Sequence, residues 1–150
     1  MDSSQGESQA GRKPDAAQIR VLIVEDHAVV AQALSAMLEA DAGIKVVGRF
    51  GSVAGAIEGA RRAAPDVVLL DYRLPDGTGA EATAAIRRQV DPPAILLLSA
   101  ENTEEARRRC FESGACDFLL KSADVAEIPR AIRQAAFGKV PSPRLVPALR

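Results

Sequence analysis

Five short apolar runs, separated by stretches of similar length, constrain this chain more than any other feature. They lie at residues 21–24, 44–47, 67–70, 95–98 and 118–120, each bounded by charges or turn residues. Runs this short and this rich in Val, Ile and Leu read as strands. Between them apolar residues recur at helical spacing: Val30, Leu34 and Leu38, then Ile57, then Ala82 and Ile86, then Ala106 and Cys110, and finally Val125, Ile128 and Ile132. The chain therefore alternates strand and helix five times. Strands with apolar residues at consecutive positions are buried on both faces, as in a parallel sheet covered by helices. Right-handed crossovers make this α/β chain a doubly wound sheet. Chemistry in such sheets lies beyond the carboxyl ends of the strands.

Those ends carry a distinctive set. Glu25 and Asp26 follow the first strand, Asp71 ends the third, Ser99 ends the fourth and Lys121 follows the fifth. Any one polar strand end is ordinary where a sheet meets solvent. Three carboxylates gathered together are not, because they repel unless a cation or a lysine offsets them. Their oxygens are the donors that a hard cation such as Mg²⁺ takes. Mg²⁺ and Lys121 together would bring the three ionised acids to formal neutrality. Asp71, central in the set, is the candidate nucleophile. Its attack on phosphorus would give an aspartyl phosphate, with metal and lysine on the phosphoryl oxygens and a hydrogen bond from the Ser99 hydroxyl.

Composition excludes several other classes. With 19 basic and 20 acidic residues in 150, the net charge of −1 gives no bulk reason to bind nucleic acid or an anionic membrane. No apolar run reaches the roughly 18 residues of a spanning helix, and the N-terminus lacks the apolar stretch of a signal peptide. A cytoplasmic location is the expectation. Cys110 and Cys116, too few for a disulfide framework and without metal-site spacing to the single histidine, are expected as buried, reduced thiols. Residues 1–18 are polar and without apolar period, and are expected as a disordered tail.

The segments VLIVEDH, PDVVLLDYRLPDGTG, AILLLSAEN and FLLK resemble the receiver domain of two-component response regulators over about residues 19–140. An acidic pair after strand one, Asp-x-x-x-Pro-x-x-x-Gly after strand three, a Ser after strand four and a Lys after strand five carry the likeness. His27 after the acidic pair, GACDFLLK and GKVPSPRL resemble the NarL/FixJ (LuxR-type) branch. The resemblance implies a flavodoxin-like (βα)5 fold with strand order 2-1-3-4-5. It implies that Asp71 accepts phosphate from a histidine kinase or phosphotransfer protein. Mg²⁺ would be held by Asp26, Asp71 and the Arg73 backbone carbonyl, with Glu25 acting through water. Lys121 would pair with the phosphoryl group and Ser99 would be the switch hydroxyl. Phe118 stands where the family has an aromatic whose rotamer follows that switch. Such a chain modifies itself and is not an enzyme acting on a separate substrate.

Other residues have plainer expectations. His27 is expected in the first turn of helix one, structural or exposed, and neither a metal ligand nor a phosphate carrier. Pro75, Gly77 and Gly79 shape the loop after Asp71. Arg107, Arg108 and Arg109, interspersed with Glu104, Glu105 and Glu112, read as a solvated or protein-contact face of helix four, with no direct nucleic-acid binding by this chain. Arg73 and Glu101 are expected to pair across the site entrance and tune phosphate lifetime, while Ala100 leaves room for a phosphodonor. Asp124 is expected to cap helix five with Glu127 completing a capping box, and Pro129 is expected to make that helix start late or kink. Helix five belongs to the face through which many receivers dimerise or contact outputs, so Pro129 bears on that surface; the resemblance implies a homodimer on phosphorylation as a partner.

Residues 139–150 resemble the start of a linker to a LuxR-type DNA-binding domain, so the receiver is expected over 19–138 and transcription as its output. A stand-alone or pseudo-receiver acting by protein contacts is the alternative. A small-molecule phosphatase is disfavoured, because a haloacid-dehalogenase type enzyme has Asp where Arg73 stands. Partitioned by segment, the balanced charge resolves into −1 for the tail, −3 for residues 19–138 and +3 for the last twelve.

Overall fold

The computed structural model describes residues 18–122 and 124–138. The expected tail and linker lie outside them, apart from Gln18. Numbered in chain order, the strands of the main sheet are β1 (Ile19–Val24), β2 (Ile44–Phe50), β3 (Val67–Asp71), β4 (Ala94–Ser99) and β5 (Asp117–Leu120). All pair in parallel, in the order β2-β1-β3-β4-β5. The helices are α1 (Ala28–Glu39), α2 (Val53–Ala63), α3 (Gly79–Arg87), α4 (Glu104–Glu112) and α5 (Glu127–Gly138). This is the expected doubly wound (βα)5 fold.

Successive side chains on a strand point to opposite faces, so the consecutive apolar runs feed two cores. Leu22, Val24, Val68, Leu70, Ile95 and Leu97 pack on one face with α2, α3 and α4, through residues such as Ala56, Ile86 and Cys110. Their neighbours Val21, Ile23, Val67, Leu69, Leu96 and Leu98 pack on the other with Leu38 of α1 and Ile128 and Ile132 of α5. The three central strands are almost wholly buried, whereas β2 and β5 at the edges are partly exposed.

The last helical period departs from expectation. Val125 is 61% exposed and precedes α5 rather than packing within it. Asp124 does cap locally, its Oδ1 accepting from Ala126 N–H at 3.1 Å, while the Glu127 and Ile128 N–H groups donate to the Asp124 and Val125 carbonyls in tight turns. Glu127 is the first helical residue, so it does not occupy the third helical position that a capping box requires. Pro129 consequently sits in the first turn, where a missing N–H costs no intrahelical bond. The late start is the outcome. Val30 of α1 is likewise exposed, and Ala31 beside it is the buried residue of that turn.

Cys110 and Cys116 are buried thiols outside any disulfide, and Cys116 Sγ donates to the Ile95 carbonyl at 3.3 Å; burial pushes Cys110 up to about 12 and raises Cys116 as well. Among the described residues no helix is long and apolar enough to cross a membrane.

Candidate functional site

Glu25, Asp71, Ser99 and Lys121 stand at or one residue past the ends of β1, β3, β4 and β5. Strand register brings them level: Val24 lies opposite Leu70, Asp71 opposite Leu98 and Ser99 opposite Leu120. Backbone bonds extend the order just beyond the sheet, from Glu25 N–H to the Phe50 carbonyl, from Tyr72 N–H to Leu98 and from Lys121 N–H to Ser99, each 2.8 Å. Segments distant in sequence thus deliver their side chains to one end of the sheet.

The Lys121 ammonium joins two of the acids, donating to Glu25 Oε1 at 2.8 Å and to Asp71 Oδ2 at 3.1 Å. The Glu25 and Asp71 side chains are only 1% and 6% exposed. Burial and the charge of Glu25 push the Asp71 carboxyl above the usual aspartate range, against the pull of Lys121 and of the Arg73 backbone N–H. Burial also works to raise Glu25, but hydrogen bonds from Lys121 and His27 prevail and leave it below its ordinary value. For Lys121, burial disfavours the charge and the two acids more than compensate, holding its value up. Asp26 is more exposed and lies at the mouth, with its Oδ1 3.3 Å from His27 Nδ1.

Three carboxylates against one ammonium leave an excess of negative charge in a half-enclosed site. The donor set is oxygen, the set Mg²⁺ prefers, and Asp71 is held in an environment that disfavours its own charge. A small hard cation relieves that penalty, so the residues fit one.

The segment after Asp71 is a short antiparallel hairpin, Arg73–Leu74 paired with Gly77–Thr78. Its tip is tied to α2, because the Asp76 carboxylate accepts from the Val53 N–H at 2.7 Å and the Ala54 N–H at 3.1 Å. Its end is tied to α3 by reciprocal capping between Thr78 and Glu81. Its start is tied to the β4–α4 loop, where Arg73 Nε donates to the Glu101 carboxylate. Gly79 is required at the turn into α3: a Cβ there would lie 2.6 Å from the Asp71 carbonyl oxygen and 2.5 Å from Leu97 Cδ2.

The profile of the response regulator receiver domain matches residues 21–133. The chain belongs to the response regulator receiver family. Among its relatives, the transcriptional regulatory protein LiaR of Bacillus subtilis (strain 168) is 36% identical over 121 residues, which cover 81% of this chain and 57% of that protein. The nitrate/nitrite response regulator protein NarP of Escherichia coli (strain K12) is 34% identical over 138 residues, covering 91% of this chain and 64% of that protein. The chain thus spans about three-fifths of the length of these relatives. A solved signal receiver domain of NarL from Mycobacterium tuberculosis superposes with a TM-score of 0.78 at 34% identity, covering 81% of this chain and 98% of that one. A LuxR-family two-component response regulator from Aurantimonas sp. SI85-9A1 gives 0.78 at 30% identity, covering 81% and 87%. The relatives are of the LuxR type that the sequence resembles.

In this receiver the expected site residues are not all in mutual contact. Glu25, Asp71 and Lys121 are bonded together, and Asp26 adjoins them through His27. Ser99, although buried beside them, turns its hydroxyl to its own loop, accepting from the Glu101 N–H at 2.9 Å and donating to the Glu101 carbonyl at 3.1 Å. Phe118 is inward, 5% exposed, in the core shared with α4. His27 is exposed as expected, its side chain 70% accessible, but it is the N-cap of α1 rather than a residue of its first turn. It is also engaged: Nδ1 lies 2.9 Å and its backbone N–H 3.1 Å from Glu25 Oε2. A carboxylate only accepts, so Nδ1 carries a proton, and that bond raises the His27 value. Two positioning residues were not legible in the sequence, His27 toward Glu25 and Asp76 toward α2. An Asp beside turn glycines signals only a turn; its reach of 23 residues to α2 exists only in the fold.

Proposed function

We propose that this receiver takes a phosphoryl group onto Asp71 from the phosphohistidine of a sensor kinase or phosphotransfer protein. The donor's P–N bond breaks, a P–O bond to the Asp71 carboxylate forms, and the departing imidazole nitrogen takes a proton from solvent. Lys121 holds Asp71 in place and meets the charge of the incoming phosphoryl oxygens. Ser99 leaves Glu101 and donates to one of those oxygens. Phe118, already inward, is the ring that fills the volume Ser99 vacates. Asp26, Asp71 and the Arg73 carbonyl would hold Mg²⁺, with Glu25 reaching it through water; when bound, the ion neutralises phosphoryl charge. Loss of the group is attack by water on phosphorus, which breaks the P–O bond and releases inorganic phosphate and the free carboxylate.

The observation that carries this reading is the buried Glu25–Lys121–Asp71 arrangement, an aspartate desolvated at a strand end beside one fixed cation. The output that fits the LuxR-type relatives is transcription, acting in the cytoplasm through a DNA-binding domain joined beyond the receiver, with a homodimer as the form phosphorylation favours. Incubation with Mg²⁺ and acetyl phosphate followed by intact mass measurement tests the first step. The wild type is expected to gain one phosphoryl group, and Asp71→Asn or removal of Mg²⁺ by chelation to abolish the gain. An unmodified wild type, or free phosphate accumulating without a phosphorylated chain, would overturn it.

A further inference from the structure

The three arginines at 107–109 do not behave alike. Arg108 pairs with Glu112 at 3.6 Å and Arg109 with Glu105 at 2.8 Å, both along the surface of α4. Arg107 turns away from them and is half-buried. Its Nη2 donates to Asn102 Oδ1 at 2.7 Å, and its guanidinium carbon lies 5.1 Å from the centroid of the Phe118 ring. Asn102 is in the loop that leaves Ser99, and Phe118 is in the strand that leads to Lys121. One side chain in the first turn of α4 therefore clasps the segments that carry two groups of the site.

A guanidinium suits this position because its flat face can rest on an aromatic ring while its edge donates hydrogen bonds; an ammonium cannot do both. The clasp acts on the loop that holds the Ser99 hydroxyl. Ser99 is bonded on both sides to Glu101, and its hydroxyl must give up those bonds before it donates to an oxygen on Asp71. We propose that Arg107 is a positioning residue that latches this loop in the conformation with Ser99 turned toward Glu101, and so opposes formation of the phosphorylated state. This rests on the reading of Asp71 as acceptor and Ser99 as its switch hydroxyl. A ligand that binds only the released state has its affinity scaled down by the fraction of molecules already in that state.

Beryllium fluoride with Mg²⁺, a mimic of the aspartyl phosphate, provides the probe, with affinity measured by calorimetric titration. Arg107→Ala is expected to tighten binding about fivefold, the worth of one cation–π contact with its hydrogen bond. Asn102→Ala, at an exposed position, is expected to tighten it in the same direction, and the double variant no more than Arg107→Ala alone. Arg107→Lys should fall back part of the way toward wild type, and Arg108→Ala should match it. Simple loss of packing would weaken binding, so a gain separates a latch from a structural prop. Wild-type affinity or weaker in Arg107→Ala overturns the latch; if that variant does not fold, Asn102→Ala decides by the same criterion. A wild type that does not bind the mimic, or an Asp71→Asn variant that binds it equally, overturns the site reading and the latch with it. Failure of Arg107→Ala and Asn102→Ala alone leaves the site reading intact.

Discussion

Arg73, in the hairpin after Asp71, donates to Glu101 of the β4–α4 loop and also lies over the Tyr72 ring at 5.4 Å. Their opposite charges reinforce each other: the hydrogen bond to Glu101 holds the Arg73 value up, and the Arg73 guanidinium holds Glu101 below the usual range. The Arg73 side chain is exposed and that of Glu101 half-buried, and an ion pair open to solvent on one side adds little to stability. The effect expected of it is on the access of water to a phosphoryl group carried by Asp71. Arg73→Ala and Glu101→Ala are each expected to shorten the lifetime of the Asp71 phosphate by about threefold or more, with thermal midpoints close to wild type. Timed loss of label from the purified phosphorylated chain measures this. Unchanged lifetimes in both variants would show that the pair does not guard the site.

The hairpin after Asp71 is held from three sides, and one of them is its tie to α2. Ser52 accepts from the Gly55 N–H at 2.9 Å, and Asp76 takes the Val53 and Ala54 N–H groups that precede it. Those two donors hold the Asp76 carboxyl below its ordinary value. A carboxylate depressed in the folded state stabilises it above the unfolded pKa, near 4 for aspartate, and loses that effect as pH falls through the folded value. Asp76→Ala is therefore expected to lower the urea midpoint at neutral pH, with the difference from wild type shrinking as pH drops below about 4. A difference independent of pH would mean the cap acts through shape rather than charge. The strands were readable because burial on both faces leaves consecutive apolar residues, and the strand-end residues followed from the chain order of the elements. Ties such as Asp76 to α2, His27 to Glu25 and Arg107 to Phe118 were not readable, because each joins polar groups whose neighbours are set by packing rather than by local pattern. Val125 misled for the converse reason: it continues an apolar period that the turn before α5 interrupts.

The whole sheet is organised so that one end can hold charges that disfavour each other. Both faces of β1, β3 and β4 are packed, and α5 is fastened across to the α1–β2 turn by Arg133, whose Nη2 lies 2.5 Å from both Asp41 oxygens. Fixed by that framework, Glu25 and Asp71 cannot separate to relieve their repulsion. The raised Asp71 value states the consequence: burial and Glu25 together outweigh what Lys121 returns. A neutral amide of the same shape removes the penalty and leaves Lys121 bonded to Glu25. Asp71→Asn is accordingly expected to be more stable than wild type in urea unfolding without divalent ions. Mg²⁺ should raise the stability of the wild type by binding the folded state alone, and do less for Asp71→Asn, which has lost one oxygen charge. The two proteins should then converge as the ion is added and diverge again when it is chelated. An Asp71→Asn variant less stable than wild type in chelator would mean that the ion pair with Lys121 outweighs the desolvation, and that the site is at rest without a cation.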